Sequence, residues 1–218
     1  MESILRDIRA DLRRSMNGVA AASMRAKGVD YRENFGVDIP RLRQIALRYT
    51  PDRALAEAMW KEDVRELKIL ATMLCPPDRF SKEDARRWVR GTAGQEIREQ
   101  ACKNLFQELP CAAELVEEWT GSRHEYIRAT GYWLFARLCI TRSGAAERME
   151  IKALPERAVA DLESESLLMC RSALHVLKFF GRISPANAEN MMKRIAGFEH
   201  SGNPRKKEIF DLLSFEFG

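Results

Sequence analysis

The sequence predicts an all-α protein, a right-handed α-solenoid of HEAT/armadillo-like helix pairs. Three observations predict it. Ala numbers 26, as many as Val, Ile and Thr together, a balance that favours helix over sheet. Gly and Pro, at 12 and 8, are too few for a loop-rich β domain. An apolar residue followed by Arg recurs at Ile97-Arg98 and Ile127-Arg128, and likewise at Val64-Arg65 and Cys170-Arg171. These arginines lie 33, 30 and 43 residues apart, within the period of about 30–45 residues expected of stacked helix pairs. The 218 residues then hold about six such pairs, read as one domain over 1–218.

Each element has its own signal. Ile4, Leu5, Ile8 and Leu12 fall at helical spacing in the first segment, Glu2 to Met16. Gly28, Asp30, Asn34, Gly36, Asp38 and Pro40 make the next stretch a structured loop, and Asp38 is placed to cap a helix with Pro40 in its first turn. That helix carries Leu42, Ile45, Ala46 and Tyr49 on one face. Helices then follow with short breaks: one from Pro51-Asp52 through Trp60, and one from Val64 to Leu74, stopped by Pro76-Pro77. Ser81 with Asp84 opens the next, through Trp88. Gly91 and Gly94 break the pattern before Gln95 to Leu109. Further helices are expected over Cys111 to Trp119, His124 to Ile140, Pro155 to Leu162 and Ser166 to Phe180, the last ended by Gly181. Ser184-Pro185 and Asn203-Pro204 open the final two. No segment alternates as a strand does, and Trp60, Trp88, Trp119 and Trp133 each fall on an apolar helical face and are expected mostly in the core, with Trp133, near Arg128, able to reach a groove.

Composition narrows the classes. With 45% hydrophobic residues the chain is not intrinsically disordered. Its charge is +4 and its pI about 8.9, which permits an anionic partner without requiring one. Five cysteines without a CxxC pair read as reduced thiols of a cytoplasmic protein. No apolar run approaches the ~20 residues of a membrane span, and the first residues lack the pattern of a signal peptide. GxxxxGK[ST], GxGxxG, GxSxG and HExxH are absent, so neither a nucleotide loop, a nucleophile elbow nor a zinc site is expected. The three histidines, His124, His175 and His200, are scattered, and no metal or cofactor is anticipated. Chemistry is left to carboxylates, aromatics and arginine.

The recurring arginines have a geometric consequence. If each lies at one register of its repeat, Arg65, Arg98, Arg128 and Arg171, with Lys178, line one cationic groove suited to an extended polyanion. The competing expectation is that they are solvated, or pair with acids from the preceding helix such as Glu62, Asp63, Glu96 and Glu125. Arg205, Lys206 and Lys207 begin the last helix, where cations oppose the helix dipole; the cluster reads as a plain solvated turn or, with a compensating anion beside it, as an extension of the groove.

One stretch is more specific. Phe35-Gly36-Val37-Asp38-Ile39-Pro40-Arg41-Leu42-Arg43-Gln44-Ile45-Ala46 resembles the GV-x-x-P-x-L-R-x-L-A block of the AlkD-like DNA alkylation repair family. Met24 to Lys27 fits the approach to that block. Met59-Trp60 with Arg65 to Ala71, Glu118-Trp119 with Ile127-Arg128-Ala129, and Leu174 to Lys178 are similar to its later blocks. The resemblance spans roughly residues 20 to 215. It implies a HEAT-like solenoid that binds double-stranded DNA, and, for active members, a glycosylase that removes cationic alkylated purines. In that chemistry the charged base is already a good leaving group, and a carboxylate stabilises the oxocarbenium-like sugar. Aromatic faces favour the cationic base, and no flipped-base pocket is needed.

Carried over residue by residue, the family's arginine falls on Arg128 and its catalytic aspartate on Glu99, one methylene longer. Its two cleft tryptophans fall on Gln95 and His175, while Trp133 stands near Arg128 as a further cleft residue. The expectation is a monomer that binds duplex DNA, alkylated or distorted, with Glu99 as charge stabiliser. The rival readings are a non-catalytic paralogue for distorted or branched DNA and a scaffold for protein partners.

Overall fold

The structure is a computed structural model describing residues 1–141, 149 and 153–218. Among these residues it has thirteen α-helices and no strand. The single β-like feature is one isolated bridge between Glu33 and Val64. The chain divides into two compact units, Met1–Leu109 and Pro110–Gly218.

The first unit holds α1 (Glu2–Arg14), α2 (Gly18–Ala26), α3 (Ile39–Ala46), α4 (Arg53–Lys61), α5 (Arg65–Leu74), α6 (Lys82–Trp88) and α7 (Gln95–Asn104). Polar caps set most starts: Asn17, Asp38 and Asp52 accept from the backbone of α2, α3 and α4. Ser81 and Asp84 form a complete capping box on α6. Helices α3 and α7 both pack on α5, and α4 packs on it as its partner. Trp60 of α4 stacks on Trp88 of α6 with ring centroids 4.3 Å apart, and Phe80 meets Trp88 edge-on.

The loop before α3 is pinned from below. Glu66, fully buried, accepts the backbone N–H groups of Phe35 and Val37. Gly36 lies between them at φ +68°, and a Cβ there would stand 2.2 Å from the carbonyl oxygen of Asn17. Only glycine fits that combination of backbone angle and close approach.

The second unit holds α8 (Ala112–Thr120), α9 (Glu125–Ile140), α10 (Leu154–Leu162), α11 (Leu167–Ile183), α12 (Pro185–Ile195) and α13 (Pro204–Phe217). The pairs α8–α9, α10–α11 and α12–α13 pack within themselves, while α11 also packs on α9 and α13. Gly131 lets α8 and α9 approach, since a Cβ would fall 2.7 Å from the backbone nitrogen of Thr120. Successive helix pairs joined through their second helices are the architecture the sequence predicts.

Two elements differ from expectation. Helix α2 was not anticipated; Asn17 caps it and four of its nine residues are alanine. Helix α11 does not end at Gly181 but runs on to Ile183, stopping before Ser184-Pro185. Gly181 instead packs against the Phe217 ring of α13. Trp60, Trp88 and Trp119 are buried as expected, while Trp133 is only partly so.

Candidate functional site

In the first unit, a pocket of about 730 Å³ opens where the first turn of α7 faces the loop after α2. Gln95, Glu96 and Glu99 come from α7, Lys27, Asp30 and Tyr31 from the loop, and Asp63 and Lys68 from around the start of α5. Four carboxylates and two lysines therefore share its wall. Gln95 is exposed and donates its amide to Glu99 Oε1 at 2.9 Å, so the two expected site residues do meet. This i, i+4 spacing puts both side chains on one face of α7. Tyr31 stays a protonated phenol, because burial and the neighbouring Glu96 raise its pKa.

The expected arginine row does not form as one set of cations. Arg65 is buried, at 1% exposure. Its Nε and Nη2 hold Glu96 at 2.7 and 2.6 Å, and its Nη1 donates to Glu66 and to the Val37 carbonyl. Its role in this structure is an ion pair in the core, not a surface cation. Arg98 is also fully buried. Its Nη2 donates to the Ala93 carbonyl at 2.9 Å, Nε and Nη1 find no partner among the described residues, and burial lowers its pKa. Neither offers its charge at the surface of the first unit.

In the second unit Arg128 is partly exposed and tied to α10. Its Nη2 donates to Asp161 Oδ1 at 2.9 Å, Nε lies 2.9 Å from Oδ2, and Nη1 donates to the Ser122 carbonyl. Tyr132 donates its hydroxyl to the same Asp161 at 2.7 Å, and burial raises the pKa of that phenol. Arg171 is exposed. Lys178 pairs with Glu216 of α13 at 3.2 Å, a carboxylate it shares with Arg182. Lys206, near the start of α13, has a compensating anion in Glu163, 2.9 Å away, and so is not the plain solvated residue of the simpler reading.

An aromatic row lies between α9 and α11. Trp133 stacks on His175 with centroids 4.1 Å apart, and His175 meets Phe179 edge-on at 5.0 Å. The Arg182 guanidinium lies over the Phe179 ring. Burial, reinforced by Arg182 and Lys178, pushes the His175 pKa down to about 4, so the imidazole is neutral at pH 7. Sequence reasoning missed Lys68, Asp161, Phe179 and Arg182. Arg182 had a local signal, standing one turn after Lys178 on the same helix; Asp161 lies 33 residues from Arg128 and had none. No group of three His, Cys, Asp or Glu side chains among the described residues is arranged to hold a metal ion. No helix among them is long and apolar enough to cross a membrane.

Helix pairs stacked through their second helices define a HEAT-like repeat protein. The model of the DNA alkylation repair enzyme family matches residues 8–191, and the chain belongs to that family. Its fold is similar to that of a solved protein from a family related to the HEAT-like repeat DNA glycosylases, one with affinity for branched DNA structures. The TM-score is 0.76 at 14% identity, over 98% of this chain and 94% of that one. No curated protein matches the sequence significantly.

Proposed function

We propose that this protein binds duplex DNA and releases cationic alkylated purines, with Glu99 as the charge that faces the reacting sugar. The observation that carries the reading is the place of Glu99 on the wall of a pocket that also holds Asp30, Asp63 and Glu96. Glu96 is already matched by Arg65, and the remaining Glu99, Asp30 and Asp63 outnumber the wall's Lys27 and Lys68. An anionic wall favours a positively charged base and, more strongly, the sugar cation that forms as the glycosidic bond breaks. The Gln95 amide holds one oxygen of Glu99 and leaves the other for sugar or water. Phosphate contacts fall to the exposed Arg171 and to Arg128, Lys178 and Arg182, the last three each oriented by a carboxylate. The neutral Trp133–His175 stack is a surface on which an unpaired base can lie.

The test is base release from methylated duplex DNA, read beside duplex affinity. Glu99→Gln is expected to lose release by about 10²-fold or more while keeping affinity. Unchanged release in that variant removes Glu99 from the mechanism. A second reading has its own support: Gln95 and His175 stand where the resemblance places aromatic cleft residues, and the similar solved protein has affinity for branched DNA. Under it, a four-way junction binds more tightly than linear duplex and no base is released.

A further inference from the structure

The same pocket contains an amine that base release does not use. Lys68 leaves α5 half-buried, and its Nζ donates to the Trp60 carbonyl at 2.8 Å. That nitrogen stands 5.0 Å from the centroid of the Trp60 ring, which is itself backed by Trp88. Gly91, also on the pocket wall, leaves no side chain above this ring: a Cβ there would come within 2.8 Å of it. Lys68 has no ion-pair partner among the described residues, although four carboxylates line the pocket. The other lysine on the wall, Lys27, is exposed. A half-buried amine set against an indole ring, without an ion-pair partner among the described residues and on the wall of a cavity, is a setting in which lysine can serve as a nucleophile.

We propose that Lys68 forms an imine with the aldehyde of an abasic deoxyribose in duplex DNA and cleaves the strand on its 3′ side. The inference rests on the reading that DNA enters this pocket. It extends that reading from the base to the sugar that base release leaves behind. An abasic sugar opens to an aldehyde at C1′. The lone pair of neutral Nζ adds to C1′, the carbonyl oxygen departs as water with the two amine protons, and a carbon–nitrogen double bond remains. A carboxylate then takes a proton from C2′; the candidate is Glu99, whose second oxygen is left free by the Gln95 amide and which the proposed function already sets against the sugar. The electron pair forms the C2′–C3′ double bond, the C3′–O3′ bond breaks, and the 3′ phosphate leaves. Hydrolysis of the imine returns the amine. No oxidant, reductant or metal enters the balance. Burial lowers the Lys68 pKa, opposed by Asp63, which increases the share of neutral amine near pH 7.

The experiment is borohydride trapping on a duplex with one abasic site, using the full chain, with affinity for the same duplex measured without borohydride. Reduction converts the imine to a stable amine linkage, read as a protein–DNA band on a denaturing gel. Peptide mapping of the wild-type adduct is expected to place the sugar on Lys68. Lys68→Arg, which keeps the charge without the nucleophile, is expected to lose the band at least tenfold with affinity within twofold. Binding without a band overturns the proposal and leaves the DNA reading standing. A band that maps to Lys27 or to the N-terminus, or that survives in Lys68→Arg, overturns it as well. Absence of duplex binding sinks both.

Discussion

Arg65 and Glu96 face each other as a two-point ion pair, 2.6 and 2.7 Å, that joins α5 to α7, with Glu96 on the wall of the acidic pocket. The third arm of the same guanidinium reaches Glu66, which in turn holds the loop of Phe35 to Val37. One side chain therefore links three segments of the first unit. Arg65→Met leaves Glu66 buried beside two backbone donors and no counter-charge. The expected loss is about 3–5 kcal/mol, seen in urea unfolding. Arg65→Lys recovers little of it, because an ammonium cannot make the forked contact.

Gly36→Ala tests the same loop from its backbone. The left-handed angle alone costs a non-glycine residue about 1–2 kcal/mol, and the added carbon meets backbone atoms of Asn17 and Ala21. Backbone cannot swing aside as a flexible side chain can. Destabilisation beyond ~2 kcal/mol is expected, measured as a lower urea midpoint at unchanged slope.

For Arg128, binding and stability should separate. Arg128→Ala is expected to weaken duplex affinity and reduce the salt slope by about one unit. Asp161→Asn keeps the shape, removes the competing anion, and is expected to tighten duplex binding while lowering stability. If neither variant moves the salt slope, the Arg128–Asp161 contact serves only to tie α9 to α10.

His175 makes stability depend on pH in a fixed direction. Its folded pKa, about 4, lies below the ordinary value of 6.5. Between those values the unfolded chain binds a proton that the folded chain does not, so stability falls as pH drops from 6.5 towards 4. His175→Phe keeps the contact with Trp133 and removes that proton. The stability difference between pH 7 and pH 4.5 should shrink relative to wild type; an equal difference in both proteins would refute the assignment.

Much of the fold was legible because helix ends are written locally. Asp38 and Ser81 cap the helices they were expected to cap, Asp52 caps the helix expected to start at Pro51-Asp52, and Pro185 and Pro204 stand in the first turns of α12 and α13. Helix α2 escaped because its low amphipathicity hides it: alanines carry little periodic signal, and only Ala21 is buried. Gly181 misled for the opposite reason. A glycine reads as a stop unless one knows that a neighbouring aromatic ring needs the space.

The pocket was half legible. Gln95 and Glu99 could be paired from their spacing on one helix turn, whereas Lys68 and Tyr31 join them only through packing of the loop after α2 against α5 and α7. The sequence by itself determined the helices, their caps and the recurrence of an arginine after an apolar residue. Only the tertiary structure decided what each arginine does. Arg65 and Arg98 went inside, Arg128 to a carboxylate, and Arg171 to solvent. The reason is range: a cap or an apolar stripe is settled within a few residues of chain, but the partner that buries or frees a guanidinium comes from a helix some 30 residues away, as with Glu96 for Arg65 and Asp161 for Arg128.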